Sequence, residues 1–339
     1  MDHPGRAALR SWLDSRPANF FEANQPLQRA LRMHWGDERF AALRPRLSAF
    51  GETSATTIDE AARVNDRIGN HPRLDAYTGI GEQTEAIEFH PSYYIAGRAA
   101  YESGMLAVQA QPGNILFQGA LFYLLCHNGE MGHACPIACT AGLILALQQR
   151  ADPAIRARFL PPLLCDRYDE LQHGAQFLTE VQGGSDVGAN TLAAAPVAGK
   201  PDVWQLSGEK WFCSNINAQQ FLVTARPEGA PEGTRGLGLF LVPRTREDGR
   251  VNGFRIRRLK NKIGTRTMAS AGGPSTMAGW TITPVRSALI MAGDMIRSAS
   301  AFSRSRNSST SSSGDELVTG EYACRIQSSA PRTSAMRIA

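Results

Sequence analysis

Apolar residues recur at three- and four-residue intervals as far as about Gln172, a spacing that predicts helices. Thr57-Ile58-Asp59-Glu60 reads as a capping box opening the helix IDEAARVNDRI. Pro91-Ser92-Tyr93-Tyr94 begins another helix that runs through GRAAYESGMLAV. The apolar stretches ILFQGALFYLLCHNGEMG and CPIACTAGLILALQQRA predict two buried helices, punctuated by Gly129, Gly132 and Pro136. Asp152-Pro153 predicts one more start, Asp capping and Pro in the first turn.

From His173 to about Lys262 the pattern changes to short β-rich runs: 203–206, 220–225, 238–242 and 254–257. Pro201-Asp202, Ser207-Gly208, Pro227-Glu228-Gly229 and Asp248-Gly249 separate them as turn formers. Beyond Ala271 the periodicity fades. Fourteen of the last 69 residues are Ser and none is Lys, too little apolar surface to offset chain entropy. The expected fold is α+β. An all-α domain over 1–172 leads to a small antiparallel, barrel-like β domain over 173–270. An unstructured Ser/Arg-rich tail over 271–339 follows.

The chain has 339 residues, 42% hydrophobic and 20% charged, which excludes wholesale disorder. Its net charge is +5; residues 271–339 hold seven Arg and four acidic residues, so +3 of it lies in the tail. A nucleic-acid footprint would instead cluster on one folded face. No apolar run reaches about 18 residues, so no membrane span is expected. The opening MDHPGRAALRSW has no apolar signal region, and the expected location is cytoplasmic. Six irregularly spaced cysteines, without CxxC, read as reduced thiols. Cys126, His127, His133, Cys135 and Cys139 form a Cys/His-rich patch lacking zinc spacing, and no metal site is assigned.

Two segments carry candidate chemistry. In Gln176-Phe177-Leu178-Thr179-Glu180-Val181-Gln182-Gly183-Gly184-Ser185-Asp186 a hydroxyl residue ends a strand before a Gly-Gly-Ser-Asp turn. Glycines admit close backbone approach, and free N–H groups there favour anionic oxygens; the bland alternative is a plain turn. Neither the dinucleotide fingerprint nor the P-loop spacing is present. In Gly208-Glu209-Lys210-Trp211-Phe212-Cys213-Ser214-Asn215 paired aromatics precede a hydroxyl. That is either a core strand with a turn or an aromatic wall behind a planar ring.

Together these segments resemble the acyl-CoA dehydrogenase family, which pairs T-E-x-x-x-G-S-D with G-x-K-x-W/F-x-[ST]-N. The likeness spans roughly 18–270 and continues through Leu259-Lys260-Asn261-Lys262-Ile263-Gly264-Thr265-Arg266. TEVQGGSDVGANT, KWF-S, the EMGHACP segment and Phe20-Phe21-Glu22-Ala23-Asn24-Gln25-Pro26-Leu27 are similar to its alkylation-response branch. The resemblance implies FAD, an acyl-CoA substrate and a homo-oligomer. It places Thr179 on the flavin near its reactive nitrogen, Gln176, Phe177 and Leu178 in the adjoining strand, and Gly184 and Ser185 near phosphates. Phe212 would pack against the isoalloxazine, followed by Cys213, and Ser214 would bond the flavin edge.

In that family a Glu of a C-terminal helical domain takes the substrate proton and the flavin takes the hydride. Here the pattern departs at Ala269-Ser270-Ala271, so that domain is read as missing. Glu180 is read as structural and no catalytic residue is assigned. The expected function is acyl-CoA dehydrogenation by a truncated, impaired flavoprotein. The alternatives are a cofactor-free interaction fragment and an alkylation-stress flavoprotein that protects DNA. The basic run Arg255, Arg257, Arg258, Lys260 and Lys262 reads as a solvated strand face, with DNA or an acidic ligand as the other reading.

Overall fold

The computed structural model describes residues 3–199, 203–246 and 248–271, together with the backbone of 289–292. The helices are α1 (Pro4–Asp14), α2 (Phe20–Ala23), α3 (Gln25–Thr53), α4 (Asp59–Asn65), α5 (Pro91–Tyr101), α6 (Ile115–Cys126), α7 (Met131–Arg150) and α8 (Pro153–Phe159). Pro91 does open α5, with His90 capping the Ser92 amide. Gly129, at φ +70°, makes the break between α6 and α7. Gly132 and Pro136, expected as punctuation, lie inside α7. The capping-box expectation fails. Thr57 sits within a π-helical turn, Ser54–Ile58, that carries α3 on into α4 and has no side-chain cap. Packing overrides the local signal: Ile58 is fully buried and Ser54 donates to the Leu124 carbonyl. A hairpin of β1 (Arg73–Tyr77) and β2 (Gln83–Glu88) also interrupts the expected helical stretch.

α7, at 20 residues and mean hydropathy 1.4, is long and apolar enough to cross a bilayer. Half of it is buried within the fold against the sheet, as a core helix would be.

The main sheet is mixed rather than antiparallel. β7 (Gln220–Pro227) is its axis, with β8 (Gly238–Pro243) antiparallel on one side. On the other side, β3 (Gly174–Phe177) and then β4 (Ala193–Pro196) run parallel to β7, end to end; β5 (Trp204–Ser207) continues from β4. A second, two-stranded sheet joins β6 (Cys213–Ser214) to β9 (Ser270–Ala271). Residues 254–257 are not a strand: the Ile256 amide bonds the Glu85 carboxylate instead of a neighbouring strand. The expected unstructured tail, 271–339, falls outside the described residues except at Ala271, which lies in β9, and at β10 (Leu289–Ala292), which pairs antiparallel with β8; both depart from it.

Period-two alternation gives the sheet two buried faces. Leu222, Leu239 and Leu241 join the helical core, while Phe221, Val223, Phe240 and Val242 form a separate β core. Helix α7 lies very close to β3. A Cβ on Gly174 would stand 2.8 Å from Leu143, and one on Gly142 would overlap the Gln176 amide. The Thr140 hydroxyl accepts from the Gly174 amide at 2.9 Å, and the Gln176 side chain donates to the Cys139 carbonyl at 3.0 Å. Near the start of α7, a Cβ on Gly97 would lie 2.5 Å from both the His133 ring and the Tyr168 hydroxyl. Gly97→Ala is therefore expected to cost about 1–3 kcal/mol through overpacking, read from chemical denaturation. An unchanged midpoint would show that the His133 ring yields freely.

Candidate functional site

β3 ends opposite Val223 and β4 begins opposite Arg226, so β7 changes partner at Thr224. Residues 178–192 leave the sheet through that gap. Asn190 and Lys210 fill it: Asn190 Nδ2 donates to the Leu178 carbonyl (2.6 Å) and Thr224 Oγ1 (3.2 Å). Lys210 Nζ donates to the same two oxygens, at 3.3 and 3.1 Å. The two motifs seen in the sequence are thereby stitched together, and the Trp211 amide completes the join on the Thr179 carbonyl at 2.8 Å.

Glu180 anchors the loop from inside. Its carboxylate meets Lys210 Nζ at 2.8 Å, with side-chain exposures of 3% and 0%. It also accepts from the Thr191 amide and hydroxyl (2.7 and 3.0 Å), the Leu192 amide (3.0 Å) and Gln182 (2.7 Å). Burial alone would raise this carboxyl, but Lys210 and the Thr191 amide outweigh it and hold the group down to about 2. Burial lowers the Lys210 ammonium, and its contact with Glu180 opposes that. Every Glu180 oxygen is thus engaged in holding the loop.

Around this anchor the site residues divide. Leu178, Gly184, Ser185 and Phe212 are exposed, and Gln176, Thr179 and Ser214 are half-buried. Phe177, stacked on Phe221 at 5.0 Å, and Cys213, its thiol pushed up to about 12 by burial, point into the β core. These two could meet a ligand through backbone atoms alone. Gly184 folds back on Thr179: a Cβ there would come within 3.2 Å of the threonine hydroxyl. Phe212 adopts φ +56°, a conformation costly for a residue with a Cβ, and keeps its ring 57% exposed. Lys260 covers it, with Nζ 3.2 Å from the ring centroid.

The basic run does not form one solvated face. Lys260 lies on Phe212, Arg257 pairs with Glu209 at 3.1 Å, and Lys262 turns inward to the Met268 carbonyl (2.7 Å) and Ser270 Oγ (3.0 Å). Burial lowers Lys262 to about 8. The Cys/His patch disperses as well: His127 stacks on Phe20, Cys126 is exposed, and His133 is buried with its Nε2 on the Tyr93 carbonyl. Further along, a cleft of about 440 Å³ lies between the start of α7 and residues 263–267, lined in part by Glu130, Arg63 and Arg266. Burial raises Glu130 to about 7 against the helix amides of His133, Gly132 and Ala134. Sequence reading missed the convergence of α7 with residues 260–270. Its one local trace is the four-residue spacing of Cys135 and Cys139, which shares a helix face.

Residues 14–170 match the family described as Adaptive response protein AidB N-terminal domain, and residues 175–272 match Acyl-CoA dehydrogenase, middle domain. Escherichia coli AidB is 32% identical over 70% of this chain and 43% of its own length. Acyl-CoA dehydrogenase family member 11 of Caenorhabditis elegans is 26% identical over 75% of this chain and 42% of its own. Among solved structures, the Bd2924 apo-form has TM-score 0.74 and 28% identity, over 84% of this chain and 56% of that one. The C. elegans ACDH-11 complex with C11-CoA has TM-score 0.67 and 23% identity, over 83% and 48%; it shows the fold. The chain belongs to the acyl-CoA dehydrogenase family. Within it, the N-terminal half is of the AidB type. The chain spans rather less than half the length of these two curated relatives.

Proposed function

We propose that this chain is a FAD-binding flavoprotein for α,β-dehydrogenation of an acyl-CoA thioester, and that residues 1–339 on their own are impaired in that reaction. The observation that carries this reading is Phe212, whose ring is held outward on left-handed backbone between the Trp211 amide bonded to the Thr179 carbonyl and the Ser214 amide bonded to the Phe212 carbonyl. Such a conformation costs about 1–3 kcal/mol and persists where a ligand face needs it. The residues present suit a flavin. Thr179 and Ser214 offer hydroxyls to its polar edge, Phe212 an aromatic face opposite Lys260, and Gly184 and Ser185 an exposed backbone for phosphate. FAD, when bound, would supply the hydride acceptor; the protein's part is to hold and orient it.

The test is the visible spectrum of purified chain given FAD. Flavin bands near one equivalent are expected, and a folded but colourless protein would sink the reading. Thr179→Val is expected to weaken FAD by several-fold, the worth of one net hydrogen bond at about 0.5–1.5 kcal/mol. Phe212→Ala should weaken it through lost stacking area. Titration by fluorescence quenching measures both, and equal affinities in wild type and both variants would place the flavin elsewhere.

A further inference from the structure

The cleft where α4, the start of α7 and residues 263–267 meet has a volume of about 440 Å³, within the range of small-molecule sites. Glu130 stands in its wall and is only 2% exposed. Asn128 Oδ1 fixes the Glu130 amide at 2.9 Å, and Glu130 Oε2 accepts from the His133 amide at 2.6 Å. Oε1 has no hydrogen-bond partner among the described residues, a costly condition for a buried polar atom. A Cβ on Gly132 would come within 2.6 Å of Glu130 Oε1 and 3.2 Å of Thr267 Oγ1. The two oxygens therefore flank a cradle that the absent side chain leaves open, and both residues line the cleft. Thr265, in the facing wall, is β-branched yet held at φ +53°, strain of the kind that collects at binding surfaces.

The charges sort the ligand. Arg63 gives Nε to Asp59 at 2.7 Å and Arg266 gives Nε to the Lys262 carbonyl at 2.8 Å, which leaves the terminal nitrogens of both for a ligand. Arg16 balances Asp59 at 2.7 Å. With Glu130 protonated, Arg63, Arg266 and Asp66 then leave the lining with one excess positive charge. Met131 and the exposed Ile263 add apolar surface. We propose that this cleft binds a small monocarboxylate. Its carboxylate lies between Arg63 and Arg266 with one oxygen in the cradle of Glu130 and Thr267, and its hydrocarbon end rests on Met131 and Ile263. Guanidinium and carboxyl donors both suit a carboxylate, and the N-terminus of α7 adds partial positive charge. The second charge of a phosphate would exceed the excess and meet Asp66. Burial raises Glu130 to about 7, so below that pH it brings a proton to donate. The site is independent of a bound flavin.

Pivalate is the probe, titrated into the full chain without FAD and followed by saturation-transfer NMR. Pivalamide is the neutral isostere and phosphate the competing oxyanion. Saturable binding of pivalate is expected at pH 6, at least about tenfold tighter than either. Arg266→Met should weaken it about tenfold, the worth of one charge-assisted hydrogen bond, and Gly132→Ala should do so by filling the cradle. Affinity should fall from pH 6 to 8.5 in wild type and stay level in Glu130→Gln, whose amide always donates. Arg63 and Asp66 on α4 and Arg266 opposite are the charges facing Glu130. On its own helix His133, held at about 4 by burial, is neutral throughout, and burial raises Tyr93, Tyr101, Tyr168 and Cys126. Lys262, at about 8, turns to the Met268 carbonyl and Ser270 Oγ, and a slope that persists in Glu130→Gln would assign the titration to it and overturn the role of Glu130. No saturable binding, phosphate as tight as pivalate, or unchanged affinity in folded Arg266→Met and Gly132→Ala would each overturn the site. Wild-type selectivity decides the matter even if a variant does not fold.

Discussion

Glu180→Ala is expected to lower folding stability by about 3–5 kcal/mol, the cost of leaving one partner of a buried ion pair uncompensated. Lys210, with no exposed side-chain surface, would keep only the Leu178 carbonyl and Thr224 hydroxyl as partners. The amides of Thr191 and Leu192 would lose their acceptor as well. Lys210→Met should cost less, because Glu180 retains the Thr191, Leu192 and Gln182 donors. Urea denaturation at pH 7 measures both. A loss below about 1 kcal/mol for Glu180→Ala would mean that the pair contributes no more than a surface one.

The pH dependence carries the same signature. Glu180 is held at about 2, below its ordinary value of 4.5. The native state therefore binds fewer protons here than the unfolded state, and the stabilisation is complete above pH 4.5 and disappears as pH falls towards 2. The gap between wild type and Glu180→Gln should close over that window. Burial holds His133 at about 4 and His173 at about 3, so both also erode stability as pH falls below 6.5. They are common to wild type and variant and cancel in the difference. A constant gap from pH 5 to 3 would show that Glu180 is not the titrating group.

The second large effect concerns turnover. The 339-residue chain, supplied with FAD, is expected to oxidise short and branched acyl-CoAs at least about 10²-fold more slowly than a full-length member of the family, in a dye-linked assay. A positioned general base alone contributes about 10²–10⁴-fold. Of the carboxylates within the two motifs, the buried one, Glu180, is committed to Lys210 and cannot serve, and Glu209 pairs with Arg257. Glu130, raised to about 7, has the proton affinity of a base, but one of its oxygens accepts from the α7 amide of His133. A turnover within tenfold of the relative would refute the argument. Glu130→Gln would then be the first variant to test.

The helical half was readable because its signals are local. Pro91 and the break at Gly129 act within one turn, and α6 and α7 are apolar enough to be recognised without partners. The flavin-type motifs were also visible, since chemistry held by consecutive residues leaves a consecutive pattern. What failed were elements whose backbone partners are distant in sequence. Thr57 reads as a cap, yet burial of Ile58 against other helices carries the helix through it. Residues 254–257 read as a strand, yet Glu85 takes the Ile256 amide.

The chain's residue order by itself determined the helix-then-sheet arrangement and marked the two loop motifs around Thr179 and Phe212, because periodicity and turn chemistry are properties of neighbours. Tertiary structure alone decided that β3 and β4 share one edge of β7, that the gap at Thr224 ejects the Glu180 loop, and that Lys210 closes it. It also decided that Phe212 faces out while Cys213 faces in. Those outcomes rest on contacts between residues from 14 to more than 50 positions apart. A parallel pairing or a buried ion pair gains its energy only when such distant groups arrive together, and no local pattern of residue types records that arrival.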